Sequence, residues 1–271
     1  MFTIHSQNLD LKQIADSGQC FRMIMESDTR ARVIARGRLL YLTDKGKGEF
    51  ELSCTKKEYN DIWHDYLDMG NDYEGYIKAV DPEDAYLKKA ALFGQGIRIL
   101  RQEPFETLIS FIISQRKNIP AIQSSVEKLC RLCGERIKDE HYAFPSPKAL
   151  SSLSLSELSD CSLGYRAPYV KEAAMRIASG EADLKAMNEL SDKQLFDELV
   201  SLYGVGKKVA NCVMLFAYHR IGAFPVDVWI KRIEDAYYNG RFPVERYPDF
   251  AGVLQQYIFF YARFGCQHSV S

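Results

Sequence analysis

The chain has 271 residues, 46% hydrophobic and 12% aromatic, with a formal net charge of −1. This is an ordinary globular composition with room for a substantial core in two or three lobes, and no apolar run approaches the roughly 20 residues of a membrane span. Seven cysteines, an odd number spread from Cys20 to Cys266, read as reduced thiols, and Met1 to Ser6 lack a leader-like pattern, so a soluble intracellular protein is expected.

Short β-rich runs dominate the first fifty residues. Arg32–Ala35, Arg38–Thr43 and Glu49–Cys54 are separated by Gly37 and by the stretch from Asp44 to Gly48, which predicts a small antiparallel sheet with one covered face. Thr55-Lys-Lys-Glu58 has the form of a capping box, and the helix after it places Tyr59, Ile62, Trp63, Tyr66 and Leu67 on one face to cover that sheet. Glu58 to Asp84 carries nine acids against Lys78 alone, a local net of −8 that leaves the remainder mildly basic. That asymmetry suits a phosphate-contacting surface, and equally a solvated acidic helix face.

From Asp81 onward the chain reads as helix. Asp81-Pro-Glu-Asp84 is a start signal with a cap, a proline and first-turn acids. Glu103-Pro104 opens a helix through Phe105, Leu108, Ile109 and Phe111 to Ile113, apolar nearly all round and therefore central. Asn118–Leu132, Ser146–Leu153, Ser154–Asp160 and Tyr165–Ala178 follow as shorter helices. Cys130 and Cys133 form a C-x-x-C with no second pair, a buried helical pair rather than a zinc site. The expected architecture is α+β: an antiparallel sheet domain with its covering helix over residues 1–80, then an all-helical body over 81–271.

The stretch 191–231 carries the chemistry. Ser191-Asp-Lys-Gln194 is a second capping box, and Leu195, Phe196, Leu199 and Leu202 recur at helical spacing. Tyr203-Gly-Val-Gly206 stops that helix, and a new one runs from Lys207 to Tyr218 with an apolar stripe on Val209, Cys212, Val213 and Phe216. A glycine hairpin opening a helix presents unpaired amides that suit a phosphate. Lys207 falls on the solvated side of the new helix. Lys208 falls at the margin of the stripe, one turn from Cys212, where partial loss of water favours the neutral, nucleophilic amine. Asp227 lies 19 positions later, placed either to share a cleft with Lys208 or simply to cap a helix through Trp229, Ile230 and Ile233. On spacing alone both remain open, as does a Lys208 that reaches out to water.

Leu202-Tyr-Gly-Val-Gly-Lys-Lys-Val-Ala-Asn-Cys212, taken with Phe224-Pro-Val-Asp-Val228, resembles the helix–hairpin–helix DNA glycosylases, and among them the 8-oxoguanine DNA glycosylase/AP lyases. Ser17-Gly-Gln-Cys-Phe-Arg22, Leu100-Arg-Gln-Glu-Pro-Phe-Glu106, Phe111-Ile-Ile-Ser114, Leu163-Gly-Tyr-Arg-Ala167 and Ala251-Gly-Val-Leu-Gln255 match the same family in order, so the likeness runs from about Leu11 to about Phe259. It implies base-excision repair of damaged double-stranded DNA by a monomer, either cytoplasmic at the nucleoid or nuclear, with no membrane. The damaged nucleotide turns out of the duplex into a pocket. Lys208 attacks the sugar C1′ and the strand is then broken by β-elimination from the resulting imine, while Asp227 stabilises charge developing on the sugar. The amides of Gly204 and Gly206 would hold a phosphate, with a structural monovalent cation on the hairpin carbonyls and no catalytic metal or organic cofactor.

The resemblance also assigns base choice. Gly18 matches a glycine whose carbonyl accepts from the N7–H that 8-oxoguanine has and guanine lacks. Presenting guanine there costs about 1–3 kcal/mol, one to two powers of ten. Cys212 and Phe259 would sandwich the base, and Gln255 would meet its Watson–Crick edge; without the resemblance Cys212 and Phe259 read as plain core. Tyr165 would wedge the stack beside the lesion. Where eukaryotic members plug the vacated gap with asparagine, this chain has Arg116. Of the two arginines that read the opposite cytosine, Arg166 matches one and Ala121 stands at the other, which implies a weaker preference for cytosine. Trp229 stands where the eukaryotic pattern has a phosphate-binding histidine. A monofunctional alkylated-base glycosylase would lack Lys208, and the iron–sulfur branch would need four cysteines where only Cys266 lies beyond Cys212. A non-catalytic hairpin module that grips phosphates is the alternative from outside enzymology.

Overall fold

Alternating apolar residues build the N-terminal sheet. In the computed structural model, which describes residues 1–265 and so leaves Cys266 outside, five antiparallel strands lie in the order β1-β5-β4-β3-β2. They are β1 (Phe2–His5), β2 (Met23–Ser27), β3 (Arg30–Ala35), β4 (Arg38–Gly46) and β5 (Glu49–Leu52). The register sets Val33 opposite Leu40 and Leu42 opposite both Ala31 and Leu52, so the buried side chains of adjacent strands fall in one row. The covered face packs on Tyr59, Trp63, Tyr66 and Leu67 of the helical stretch 56–67. Thr55 caps it through the Glu58 amide at 3.1 Å, but the expected box is only half made: the Glu58 carboxylate accepts from Trp63 Nε1 instead, at 3.2 Å.

Three further departures from the sequence reading have local causes. A one-and-a-half-turn helix, Leu11–Asp16, capped by Asp10, sits among the predicted strands and buries Leu11, Ile14 and Ala15. The helix expected from Asp81 begins at Ala85 with Asp84 as its cap. Asp81 instead turns the chain by accepting from the Glu83 amide at 2.9 Å. The body is not wholly helical either, because Gly134 and Asp139 let Arg136–Lys138 pair with His141–Tyr142 as a ribbon.

The Pro104–Ser114 helix runs through the centre, buried continuously from Thr107 to Ile113. Phe111 stacks on Phe216 at 5.5 Å and meets Phe21 edge-on at 5.4 Å. Around it lie the helices Ile119–Cys133, Ala167–Ala178, Asp192–Ser201, Lys207–Phe216 and Ala251–Phe264. The C-x-x-C lies on the first of these, with Cys130 buried and Cys133 half-buried, both as free thiols.

Buried polar side chains bind sheet to body. Gln19 donates to the Arg98 carbonyl (2.9 Å) and accepts from the Leu100 amide (2.8 Å), while its own carbonyl receives Gln102 Nε2 (2.8 Å). Asp68, 2% exposed, accepts from Asn71, Tyr73 and Arg101, and His219 Nε2 lies 3.2 Å from its Oδ1 without the angle of a hydrogen bond. Burial alone would raise this carboxyl, but these partners hold it below its ordinary value. Its stabilisation is therefore present above about pH 3.8 and is lost as pH falls below that. Asp68→Asn is expected to cost about 3 kcal/mol in urea unfolding at pH 7, with the deficit shrinking when both proteins are unfolded near pH 3.

Candidate active site

Residues from four distant segments line one cavity: Ser17 and Gly18, Phe111, the Lys208–Cys212–Phe216 face with Pro225 and Asp227, and Gln255, Gln256 and Phe259. Each wall has a local cause. Gly204 ends the preceding helix at φ +82°, and a Cβ there would lie 2.4 Å from the Tyr169 ring, so glycine is required twice over. Gly206 then caps the Lys207–Phe216 helix with no side chain, leaving the first amides open. Lys207 is exposed. Lys208 is half-buried, its Nζ 4.8 Å from the centroid of the Phe111 ring and close enough to the Cys212 thiol to act on it electrostatically. Burial pushes that thiol up, more than the neighbouring Lys208 pulls it back, so Cys212 is a neutral wall and not a second nucleophile.

Asp227 caps the Val228–Tyr237 helix. Its Oδ1 accepts from both the Trp229 and Ile230 amides at 2.9 Å, and Oδ2 makes no hydrogen bond among the described residues. One oxygen thus fixes the carboxylate and the other is spare, so the two readings of Asp227 left open by its spacing are both satisfied. On the Ala251–Phe264 helix, Gln255 and Gln256 are each 3% exposed, and Gln256 Nε2 donates to Gln255 Oε1 at 3.0 Å. Gly18 stands at φ +73° in the loop that Gln19 pins, and a Cβ on it would lie 3.4 Å from the Phe259 ring.

The cavity measures about 50 Å³, the space of one or two waters and too small for a purine. The space has to widen before a base can lie between Phe259 and Cys212. Four wider clefts, of about 400 to 630 Å³, share no residue with it. The small cavity is the candidate because a half-buried lysine, a carboxylate with a spare oxygen and the Phe259 and Cys212 walls converge there.

The remaining predicted residues lie along an edge beside the hairpin. Arg116 is exposed at φ +53°, and Tyr165 is 51% exposed. Tyr165, Tyr169 and Tyr203 form a chain of edge-on rings ending at the hairpin. Ala121 opens the Ile119–Cys133 helix, its amide bonded to the Asn118 cap. Arg166 is not presented outward: it is 6% exposed, with its guanidinium on the backbone carbonyls of Gln115 and Leu163. Among the hairpin carbonyls, that of Gly204 accepts from Gln115 Nε2 at 3.0 Å. Trp229 is half-buried and carries the Arg232 guanidinium 5.1 Å from its ring. Sequence reasoning had Phe111 as core and passed over Gln19, Gln115 and Gln256. Burial is the signal for Gln19 and Gln256, and two bonds to backbone carbonyls are the signal for the half-buried Gln115; neither shows before the fold is known.

The chain matches two family models in succession: 8-oxoguanine DNA glycosylase, N-terminal domain, over residues 1–108, and HhH-GPD superfamily base excision DNA repair protein over 109–241. A curated relative, "Probable N-glycosylase/DNA lyase" from Methanothermobacter thermautotrophicus, is 32% identical over 67% of this chain and 68% of its own. Among solved structures, MBOgg1 in complex with a low-affinity DNA ligand superposes with a TM-score of 0.91 at 37% identity, covering 97% of this chain and 96% of that one. The Clostridium acetobutylicum 8-oxoguanine glycosylase/lyase, bound to double-stranded DNA with cytosine opposite 8-oxoG, superposes with a TM-score of 0.91 at 32% identity, covering 98% and 99%. Gly204→Ala is expected to lower stability by about 2 kcal/mol through the strained φ and the Tyr169 overlap, measured by denaturant unfolding, whereas Gly206→Ala, which meets no neighbour, should cost less than about 1 kcal/mol.

Proposed function

The chain belongs to the 8-oxoguanine DNA glycosylase family of the helix–hairpin–helix base-excision superfamily, and we propose that it removes 8-oxoguanine from duplex DNA through a covalent lysine intermediate, with an associated AP lyase step. The observation that carries this reading is the convergence of Lys208 and the spare oxygen of Asp227 on a cavity walled by Cys212, Phe259, Gly18 and Gln255. The lesion is turned out of the stack and displaces the Phe259–Gly18 wall. The free amine of Lys208 forms a bond to C1′ as the bond from C1′ to the base nitrogen breaks, and the departing base takes that electron pair and a proton. The aminal opens to an imine. Loss of a C2′ proton then expels the 3′ phosphate oxygen and breaks the strand. Asp227, held by two amides, stabilises positive charge on the sugar without moving, which is where a fixed carboxylate contributes most.

The amine supplies the covalent chemistry itself, so the reading calls for no metal or organic cofactor. Any monovalent cation at the hairpin would share the Gly204 carbonyl with Gln115 Nε2 or use the neighbouring carbonyls. The open amides following Gly206 suit a DNA phosphate. We take the working form to be a monomer acting wherever the cell keeps its chromosomal DNA. No helix among the described residues is long and apolar enough to cross a membrane.

Borohydride should trap the chain covalently on a duplex containing 8-oxoguanine. The adduct is expected to vanish in Lys208→Gln and persist in Lys207→Gln, and an adduct surviving without Lys208 would sink the mechanism. Asp227→Asn, which keeps the helix cap but removes the charge, should slow single-turnover excision about 100- to 1000-fold. With Ala121 at one reader position, excision opposite cytosine and opposite adenine should run at comparable rates; a large bias toward cytosine counts against that assignment.

A further inference from the structure

We propose that Gln256 reads the extruded base together with Gln255, accepting from the purine N–H that a single glutamine amide leaves unmet. The proposal rests on the lesion-excising reading above and adds a second side chain to the wall that faces the base edge.

Helix geometry puts both glutamines beside Phe259. At about 100° per residue, Phe259 falls between them as seen down the axis, about 40° from Gln255 and about 60° from Gln256. It stands one turn further on, and helical side chains lean toward the N-terminus, so its ring lies over the turn that carries the pair. A base stacked on that ring has its edge toward both. All three residues line the same cavity, and each glutamine is only 3% exposed. The other buried residues from Ala251 to Ile258 carry no amide or charge, so two adjacent amides here are unfavourable unless they are bonded.

Their hydrogen bonds do not close. Gln256 Nε2 donates to Gln255 Oε1 at 3.0 Å. Among the described residues, the buried Gln256 Oε1 has no donor and Gln255 Nε2 has no acceptor. An amide oxygen has two lone pairs and an amide nitrogen two protons. Linked once, the pair keeps a free carbonyl, a spare lone pair on the shared oxygen and a free NH2 group. Turning both amides over exchanges their roles and leaves the same groups free.

That set complements one base edge. Guanine and 8-oxoguanine present an acceptor, O6, beside two donors, N1–H and the 2-amino group. One glutamine amide meets two adjacent groups of such an edge, one as donor and one as acceptor. With Gln255 on O6 and N1–H, the 2-amino group falls to the carbonyl of Gln256. The orphaned acceptor and the purine N–H then satisfy each other, which neither does in the empty site.

The test compares single-turnover excision of 8-oxoguanine with that of 8-oxohypoxanthine, which lacks only the 2-amino group, both opposite cytosine. Gln256→Met has a similar length but no donor or acceptor. It is expected to slow removal of 8-oxoguanine about 30-fold and of 8-oxohypoxanthine less than about threefold, since the second base has no amino group to lose a partner. Borohydride trapping on a preformed abasic site, where there is no base to read, shows whether the variant's lysine site is folded. If Gln256→Met fails that check, Gln256→Asn, which withdraws the same amide by one methylene, carries the same comparison. Equal slowing of the two bases would make Gln256 a packing residue and overturn the proposal, as would a larger loss on the base without the amino group. An unmodified chain that traps on abasic sites but leaves 8-oxoguanine in place would instead remove the lesion assignment, and this inference with it.

Discussion

A lysine in the first turn of a helix that a glycine begins is the constraint on which the site depends. Because Gly206 contributes no capping side chain, the helix start stays open to a phosphate, and because Lys208 is the second helical residue it leans back toward that opening. The apolar stripe then brings its amine against Phe111 and Cys212 instead of letting it extend into water. Nucleophile and phosphate grip are thereby built from one turn of backbone. The other walls are brought to it by separate devices: a capping aspartate with one oxygen to spare, a C-terminal helix with two buried glutamines, and a glycine loop stitched to the body by Gln19.

These devices show why the sheet is more than an appendage. Gly18 reaches the cavity only because the loop between the Leu11–Asp16 helix and β2 is held against residues 98–102, and those residues are in turn fixed by Arg98 bonding to the carbonyls of Asn8, Leu67, Asp68 and Asn71. Buried backbone carbonyls in irregular segments need donors, and here a single guanidinium serves four of them. Asp68 extends the same knot toward His219 just beyond the lysine-bearing helix.

Much of this was legible in the chain and some was not, for identifiable reasons. Helix starts announced themselves: Ser191 and Asp227, read as caps, and Asn118, Ser146 and Ser154, where helices were expected to begin, all accept from amides of the following turn. Where two candidates compete within one turn, as Asp81 and Asp84 do, pattern alone picks the wrong one, because the choice depends on what the helix packs against. The Leu11–Asp16 helix is too short to show a period, and the 136–142 ribbon offers three residues of pairing at most. Lys208 beside its stripe was visible from rotation per residue. The orientation of Arg166 was not, since a guanidinium turned inward and one turned outward have the same neighbours in sequence. Gln19, Gln115 and Gln256 were likewise invisible: glutamine is usually solvated, and only the folded arrangement reveals that its amide is holding something.

The size of the catalytic cavity has a cellular meaning. A space of about 50 Å³ has to widen before a base can enter it. A ligand that also grips the hairpin and lies along the Tyr165 edge brings more contacts to that widening than a free nucleoside does, so the closed form favours polymer over the soluble nucleotide pool.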